Sequence, residues 1–258
     1  MTPASFKRSI RDLQVWCSSC MVAFSGSDSI GVLIGAKRPS GTLVHKIAVH
    51  PDHVRQGHGR HLLASLGSKL AILGPPRMIA EVPETLAPAR GLFSASGYIE
   101  EAVLTDYVLQ REENDLRSDD RGGGFVIPVT IDDLAANGLL GEDHPPVCWE
   151  RSIETLTARK DDIAGLAVAS DEQIEAYVLY VKMADLQIST FPHFQILSLR
   201  SFIEDGGARL KQLLARLGMG TFRFPKVHPA EISTELLETV DFRSAGGHLL
   251  YAARARSD

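Results

Sequence analysis

One stretch constrains the fold of this chain more than any other. Thr42–Val49 reads as a buried strand, and His50-Pro51 closes it. A short loop follows with Gly57 and Gly59, and from Arg60 the apolar period becomes helical. Leu62, Leu63, Leu66, Leu70 and Leu73 fall on one helical face, and Gly74-Pro75-Pro76 stops the helix. A strand passing through a glycine loop into an amphipathic helix predicts α/β architecture. It also gathers backbone N–H groups at a helix N-terminus, which suits a phosphate or pyrophosphate. Gly57 and Gly59 have no side chain to block such a ligand, and Arg55 and Arg60 add positive charge. The loop is not the dinucleotide fingerprint, because the third glycine and the acidic strand end are missing. It is not a P-loop, because no Gly-Lys-Ser/Thr follows.

The remaining chemistry is bounded by composition. The chain has 258 residues, enough for one to two domains with a real core. Its formal net charge of −5 argues against nucleic-acid binding through bulk charge. No apolar run is long enough to span a membrane. Lys7, Arg8 and Arg11 ahead of Val15–Phe24 imitate a signal peptide, but Asp12, Ser18 and Ser19 interrupt it, so a cytoplasmic location is expected. Three cysteines make no disulfide framework. Cys17-Ser-Ser-Cys20 has metal or redox spacing, but no second pair completes a site. The two cysteines are read as half-buried strand residues.

Along the chain, Val15–Phe24 and Ile30–Ala36 read as a hairpin, followed by the strand and helix above. Then come a short strand at Met78–Val82, a helix at Ala87–Ser96 capped by Gly97, and strand sequence at Tyr98–Gln110. The stretch 112–124, charged and then glycine-rich, reads as a linker. After it the order recurs. Phe125–Thr130 is strand, Ile131–Leu140 and Trp149–Arg159 are helical, and Ile163–Ala169 with Ile174–Val181 is a hairpin. Strand Ile196–Leu199, leucine helix Ala208–Leu217, helix Ile232–Val240 and strand Leu249–Ala253 follow. The offset is domain-sized, about 140–150 residues, so two copies of one α/β unit are expected. Their boundaries are read as 1–111 and 125–258.

The loop and its surroundings resemble the acetyl-CoA-binding motif of the GNAT superfamily of N-acetyltransferases. Val49-x-Pro51 and Gly57-x-Gly59-Arg60-x-Leu62-Leu63 match the family pattern, with Val54 in a place where the family has Gln or Arg. Ala89-Arg90-Gly91-Leu92-Phe93-Ser94-Ala95-Ser96-Gly97-Tyr98 resembles a second family segment. The resemblance covers about Val15–Arg111. It implies an α/β (α+β) fold of two mixed-sheet domains with helices on both faces. It also implies transfer of an acetyl group from acetyl-CoA to an amine by direct attack in a ternary complex. Ile47, Ala48, Val49, Arg55, Gln56, Gly57, His58, Gly59, Arg60 and Phe93 then fall in the cofactor site. The strand amides near Ile47–Val49 are placed to receive the developing oxyanion.

Two departures bear on the chemistry. Leu86 stands where the family often has Asn, and Phe93 stands where it often has the Tyr that protonates the leaving thiolate. Phe has no proton to donate. His45, two residues from Ile47 and so expected on the same strand face, is the side-chain candidate for a general base, against the alternative of a packed or solvent-facing strand histidine. His50, His53, His58 and His61 crowd the loop without an acidic partner at metal spacing, so no metal is expected. The second copy is degenerate, because Glu204 and Asp205 in the matching loop repel a pyrophosphate. The expected acceptor is a small-molecule or peptide amine, with no nucleic-acid or membrane partner, and the two halves can pack as an intramolecular pseudo-dimer. A non-catalytic acyl-CoA-binding or regulatory protein is the alternative. The first copy is shortened, with only Thr2–Leu13 ahead of its hairpin. The acceptor wall that opening helices form in the family must come from the second copy or from sequence upstream of Met1.

Overall fold

The computed structural model describes residues 3–112, 125–140, 146–183, 191–204 and 206–256. The chain divides into two compact units. Unit 1 is Met1–Val103 with His248–Asp258, and unit 2 is Leu104–Gly247.

In chain order, unit 1 begins with helix α1 (Pro3–Leu13), a 3₁₀ turn at Cys17–Ser19 and strands β1 (Met21–Ser25), β2 (Asp28–Arg38) and β3 (Gly41–Val49). Helix α2 (His58–Leu73), strand β4 (Arg77–Pro83) and helix α3 (Ala87–Ala95) come next, and strand β5 (Ile99–Arg111) runs out of the unit. The following strands and helices are β6 (Phe125–Pro128), α4 (Ile131–Ala136), α5 (Ile153–Ala158), β7 (Ala164–Ala169), β8 (Ile174–Met183), β9 (His193–Ser201), α6 (Gly206–Leu217), β10 (Gly220–Val227), α7 (Thr234–Thr239) and β11 (Arg243–Arg254).

Each unit uses one plan. In unit 1, β1, β2 and β3 form an antiparallel meander. The crossover helix α2 leads to β4, parallel to β3. In unit 2, β6 to β9 are antiparallel neighbours in order, and α6 leads to β10, parallel to β9. A mixed sheet built from hairpins and one helical crossover is the α/β plan that the two leucine helices imply. The final strands are not where a simple tandem puts them. β4 is paired with residues 248–254 of β11, from the end of the chain. β10 is paired with residues 105–111 of β5. Sequence periodicity gives each strand but not its neighbour, so the boundaries at 111 and 125 differ from those of the compact units. The linker reading at 112–124 lies outside the described residues except for Glu112.

The unit 1 core is built by the leucine face of α2. Leu62, Leu63, Leu66 and Leu70 are buried with Leu33, Val44, Met78, Ala80 and Val82. A fully buried leucine such as Leu66 contributes about 2 kcal/mol. Leu73, counted on that face from the sequence, is 70% exposed, because it lies in the final turn before Gly74. In unit 2, Leu210, Leu213 and Leu214 of α6 play the same part beside Phe222 and Phe224.

Three local readings change. Residues 15–24 are not one strand. Ser19 and Cys20 donate backbone hydrogen bonds to Trp16 and Cys17, closing a turn that leaves Cys17 exposed and starts β1 at Met21. Trp149–Arg159, read as helical throughout, is a 3₁₀ turn at Trp149–Arg151 followed by α5, with Trp149 buried. The segment ahead of the first hairpin is an eleven-residue helix, α1, joined to β2 by the hydrogen bond from Lys37 N–H to the Gln14 carbonyl.

Candidate functional site

The site of unit 1 starts from a flaw in its sheet. β2 and β3 are in register through Gly35↔Val44 and again from Ile34↔Lys46, so His45 is the extra residue of a β-bulge. Bulges re-aim the strand that carries them. Past the bulge β3 leaves β4: the parallel ladder consists of Thr42↔Met78 and Leu43↔Ile79 and goes no further. The two strands splay, and the β3 edge from Lys46 to Val49 carries no ladder to β4. Backbone groups there are available to a ligand. His45 itself is half-buried at the bulge. Val44 and Ile47 both pack on the α2 core, three residues apart, so the bulge absorbs one residue between them, and past it burial alternates from half-buried His45 through exposed Lys46 to half-buried Ile47.

The end of β3 leads through a 3₁₀ turn, Pro51–His53, to the N-terminus of α2. Gln56 Nε2 donates to the Asp52 carbonyl at 3.1 Å and ties the loop to itself. Gly57 is the N-cap, with φ 89°, and Arg55 also has positive φ, at 60°. No side chain caps α2, and its first turn holds no acidic residue. The first-turn amides and the positive end of the helix dipole are therefore open to an anion. A Cβ on Gly57 would meet nothing within 4 Å. Gly57 is required by its backbone conformation and leaves open space in front of the amides. Gly59 has a different role from the one its spacing suggests, because a Cβ there would meet Leu92 of α3 at 3.2 Å. It is a helix-packing glycine.

Beside this terminus runs a cleft of about 540 Å³, floored by Ala64, Gly67 and Met78 and walled by Ala95–Tyr98. Gly57 and Arg60 line it, with Arg254 and Arg256 from the end of the chain. None of these three arginines is in an ion pair among the described residues. Sequence reasoning missed Arg254 and Arg256. Their only signal was a basic C-terminal end, and nothing local joins it to a loop almost two hundred residues earlier. The Tyr98 hydroxyl lies 3.8 Å from Met78 Sδ, and burial pushes it well above the usual tyrosine range.

The other predicted site residues separate. Arg55, Gln56, Gly57 and Arg60 are exposed around the helix terminus. Ile47 and Val49 are half-buried on β3, and Ala48 is exposed. Phe93 is only 3% exposed, with its ring 5.1 Å from Tyr98 edge-on and stacked on Tyr251 at 6.0 Å. It is a core residue beneath the cleft. Leu86 is the exposed N-cap of α3. His50, His53 and His58 stand edge to edge, 6.0 Å between successive ring centroids. Among the described residues no three His, Cys, Asp or Glu are arranged to hold a metal ion.

Unit 2 has the same splay and fills it. β9 and β10 are paired from His193↔Thr221 to Gln195↔Arg223, and β9 continues to Ser201 without β10. Arg151 occupies the gap. Its Nη1 donates to the Leu197 carbonyl of β9 at 3.2 Å, and its Nη2 donates to the Lys226 carbonyl of β10 at 3.0 Å. Both nitrogens also bind the Glu231 carboxylate, at 2.5 and 2.6 Å. The guanidinium lies 4.6 Å from the Phe224 ring centroid. Both side chains are inaccessible, at 0% and 3%. Burial opposes the charge on Arg151, but Cys148 and Glu231 outweigh it and hold the guanidinium protonated. Neither Arg151 nor Glu231 stood out in the sequence, since nothing local distinguishes a buried pair 80 residues apart. Asp205 lies outside the described residues.

Splayed parallel strands beside an uncapped helix N-terminus define an α/β fold able to hold an extended, phosphate-bearing ligand. The comparisons with known proteins place that fold. Residues 3–98 match the model of the Acetyltransferase (GNAT) family. No curated protein matches the sequence significantly. Among solved structures, the chain is similar to a tandem GNAT protein from the clavulanic acid biosynthesis pathway: TM-score 0.65 at 16% identity, covering 96% of this chain and 87% of that one. A GCN5-related N-acetyltransferase from Anabaena variabilis gives TM-score 0.65 at 9% identity, over 99% and 67% of the two chains. Another from Sphaerobacter thermophilus gives 0.59 at 12%, over 92% and 81%. At such identities the likeness establishes the fold.

Proposed function

We propose that unit 1 binds acetyl-CoA and transfers its acetyl group to an amine, on a small molecule or a peptide. One observation carries this reading: β3 and β4 splay beside a long helix whose glycine N-terminus has no side-chain cap. The site fits such a ligand by its donor set. The α2 first-turn amides receive the pyrophosphate, and Arg60, Arg254 and Arg256 supply charge along the cleft for the nucleotide phosphates. The free edge of β3 from Lys46 to Val49 holds the thioester arm and offers N–H groups to the carbonyl oxygen. When bound, acetyl-CoA supplies an activated acyl carbon that a neutral amine attacks directly.

The amine must lose a proton. His45, at the bulge where β3 turns from β4, is the base candidate, directly or through water. Phe93 is no proton donor, so CoA leaves as thiolate or takes its proton from solvent.

The test measures acetyl-CoA binding by calorimetry and thiol release with a panel of amines. Gly57→Trp fills the space before the amides and is expected to abolish binding. Arg254→Ala and Arg256→Ala each weaken it severalfold, less so at high salt. Unchanged binding in Gly57→Trp overturns the site. Because Phe93 replaces the hydroxyl donor, a second reading is acyl-CoA binding without transfer. Binding with no thiol release for any amine decides for it.

A further inference from the structure

We propose that Cys17 and Cys20 form a reversible dithiol–disulfide couple, a redox modification site on the turn between α1 and β1.

The backbone brings the two residues together. Ser19 N–H donates to the Trp16 carbonyl at 2.8 Å and Cys20 N–H donates to the Cys17 carbonyl at 3.0 Å. Two successive bonds of this kind make 3₁₀ geometry, in which residues i and i+3 lie over one another. A turn closed by such a bond keeps its end Cα atoms within about 7 Å. Disulfides span Cα separations up to about 6.8 Å.

The thiol of Cys20 lies near the start of the turn. Its Sγ donates to the Trp16 carbonyl at 3.3 Å, the peptide group that precedes Cys17. The sulfur is therefore folded back over the start of the turn. Exposure divides the roles: Cys17 is exposed and Cys20 partly buried. An oxidant meets Cys17 first, and Cys20 waits behind it.

The turn is held before any oxidation. Trp16 N–H donates to the Gly35 carbonyl at 3.3 Å. Ser19 is 1% exposed, and a Cβ on Gly35 would lie 2.5 Å from its carbonyl oxygen. A fixed turn loses little further freedom when its ends are joined. The closed loop is so short that it constrains the unfolded chain little, which marks a labile couple rather than a staple.

The oxidant class is a low-molecular-weight disulfide such as oxidised glutathione. Cys17 thiolate attacks it, forming a mixed disulfide and releasing one glutathione thiol. Cys20 thiolate then attacks Cys17 Sγ and releases the second. Two S–H bonds are lost, one S–S bond forms in the protein and one breaks in the oxidant. Two electrons and two protons pass to glutathione.

The experiment equilibrates the full chain in glutathione buffers of increasing oxidised fraction. It then quenches with acid, alkylates in denaturant and reads intact mass and peptide map. At the oxidising end the wild type is expected to lose two of its three alkylatable thiols together, carry no glutathione and yield a Cys17–Cys20 linked peptide. Cys148, buried, keeps its thiol, and excess reduced glutathione restores the other two. Cys20→Ser is expected to retain glutathione on Cys17. A wild type that keeps three thiols, or that accumulates the same adduct as Cys20→Ser, overturns the proposal.

Discussion

Gly59 of α2 lies against Leu92 of α3 so closely that a Cβ on the glycine would stand 3.2 Å from both Leu92 Cδ atoms. Gly57, two residues earlier, faces open space but holds φ 89°, where an L residue is strained. The two glycines of one motif thus do different work. Gly57→Ala and Gly59→Ala should each cost about 1 kcal/mol, the first through backbone strain and the second through overpacking. In a Leu92→Ala background the Gly59→Ala penalty should shrink and the Gly57→Ala penalty should not. Urea denaturation of the four combinations measures this coupling. Equal penalties in both backgrounds would refute the packing role of Gly59.

The Arg151–Glu231 pair fills in unit 2 the gap that stays open in unit 1. Removing one partner leaves the other charge buried. Arg151→Met or Glu231→Leu alone should destabilise by about 3–5 kcal/mol, and the double variant should cost less than either. With the pair intact, calorimetry should find one acetyl-CoA per chain. Two equivalents per chain would show that the plug does not close unit 2.

The sequence carried local geometry well and pairing poorly. Strand β3, its loop and α2 were legible because a change of apolar period, a proline and two glycines lie side by side in the chain. The bulge at His45 was not, since an extra residue is defined only by the strand opposite, here Ile34 and Gly35. The same holds for Arg254 beside Gly57, and for Arg151 between Leu197 and Lys226. Phe93 was found by its motif position, but burial between Tyr98 and Tyr251 is a tertiary property. Cys17–Ser19 read as strand because its neighbours are apolar, and hydrogen bonds local to the turn overrode that pattern.

His228 follows β10, and its Nδ1 accepts the Ala230 N–H at 3.1 Å. Burial lowers its pKa below the ordinary 6.5, against a smaller opposing pull from Glu231. The folded chain therefore takes up this proton less readily than the unfolded chain. The stability contributed by neutral His228 is complete above pH 6.5 and is lost as pH falls through the folded value. In urea titrations, stability should rise with pH through that acidic window. His228→Gln should flatten the slope, and an NMR titration should place the His228 midpoint below 6.5. A midpoint above that value reverses the sign and refutes the prediction.

Phe93→Tyr would place the hydroxyl used by the family at its usual sequence position. In this chain that position is 3% exposed, edge-on to Tyr98 and stacked on Tyr251. A hydroxyl added there without an acceptor costs about 1–3 kcal/mol. The variant should therefore melt earlier and release CoA thiol no faster than the wild type. The pH dependence of turnover should also stay the same, because a tyrosine sealed from the cleft gives no proton to the leaving thiolate. Melting curves and thiol-release rates on the same preparations decide the matter. Faster release with unchanged stability would mean that the ring reaches the cleft, and Phe93 would then be a lost catalytic position rather than a core residue.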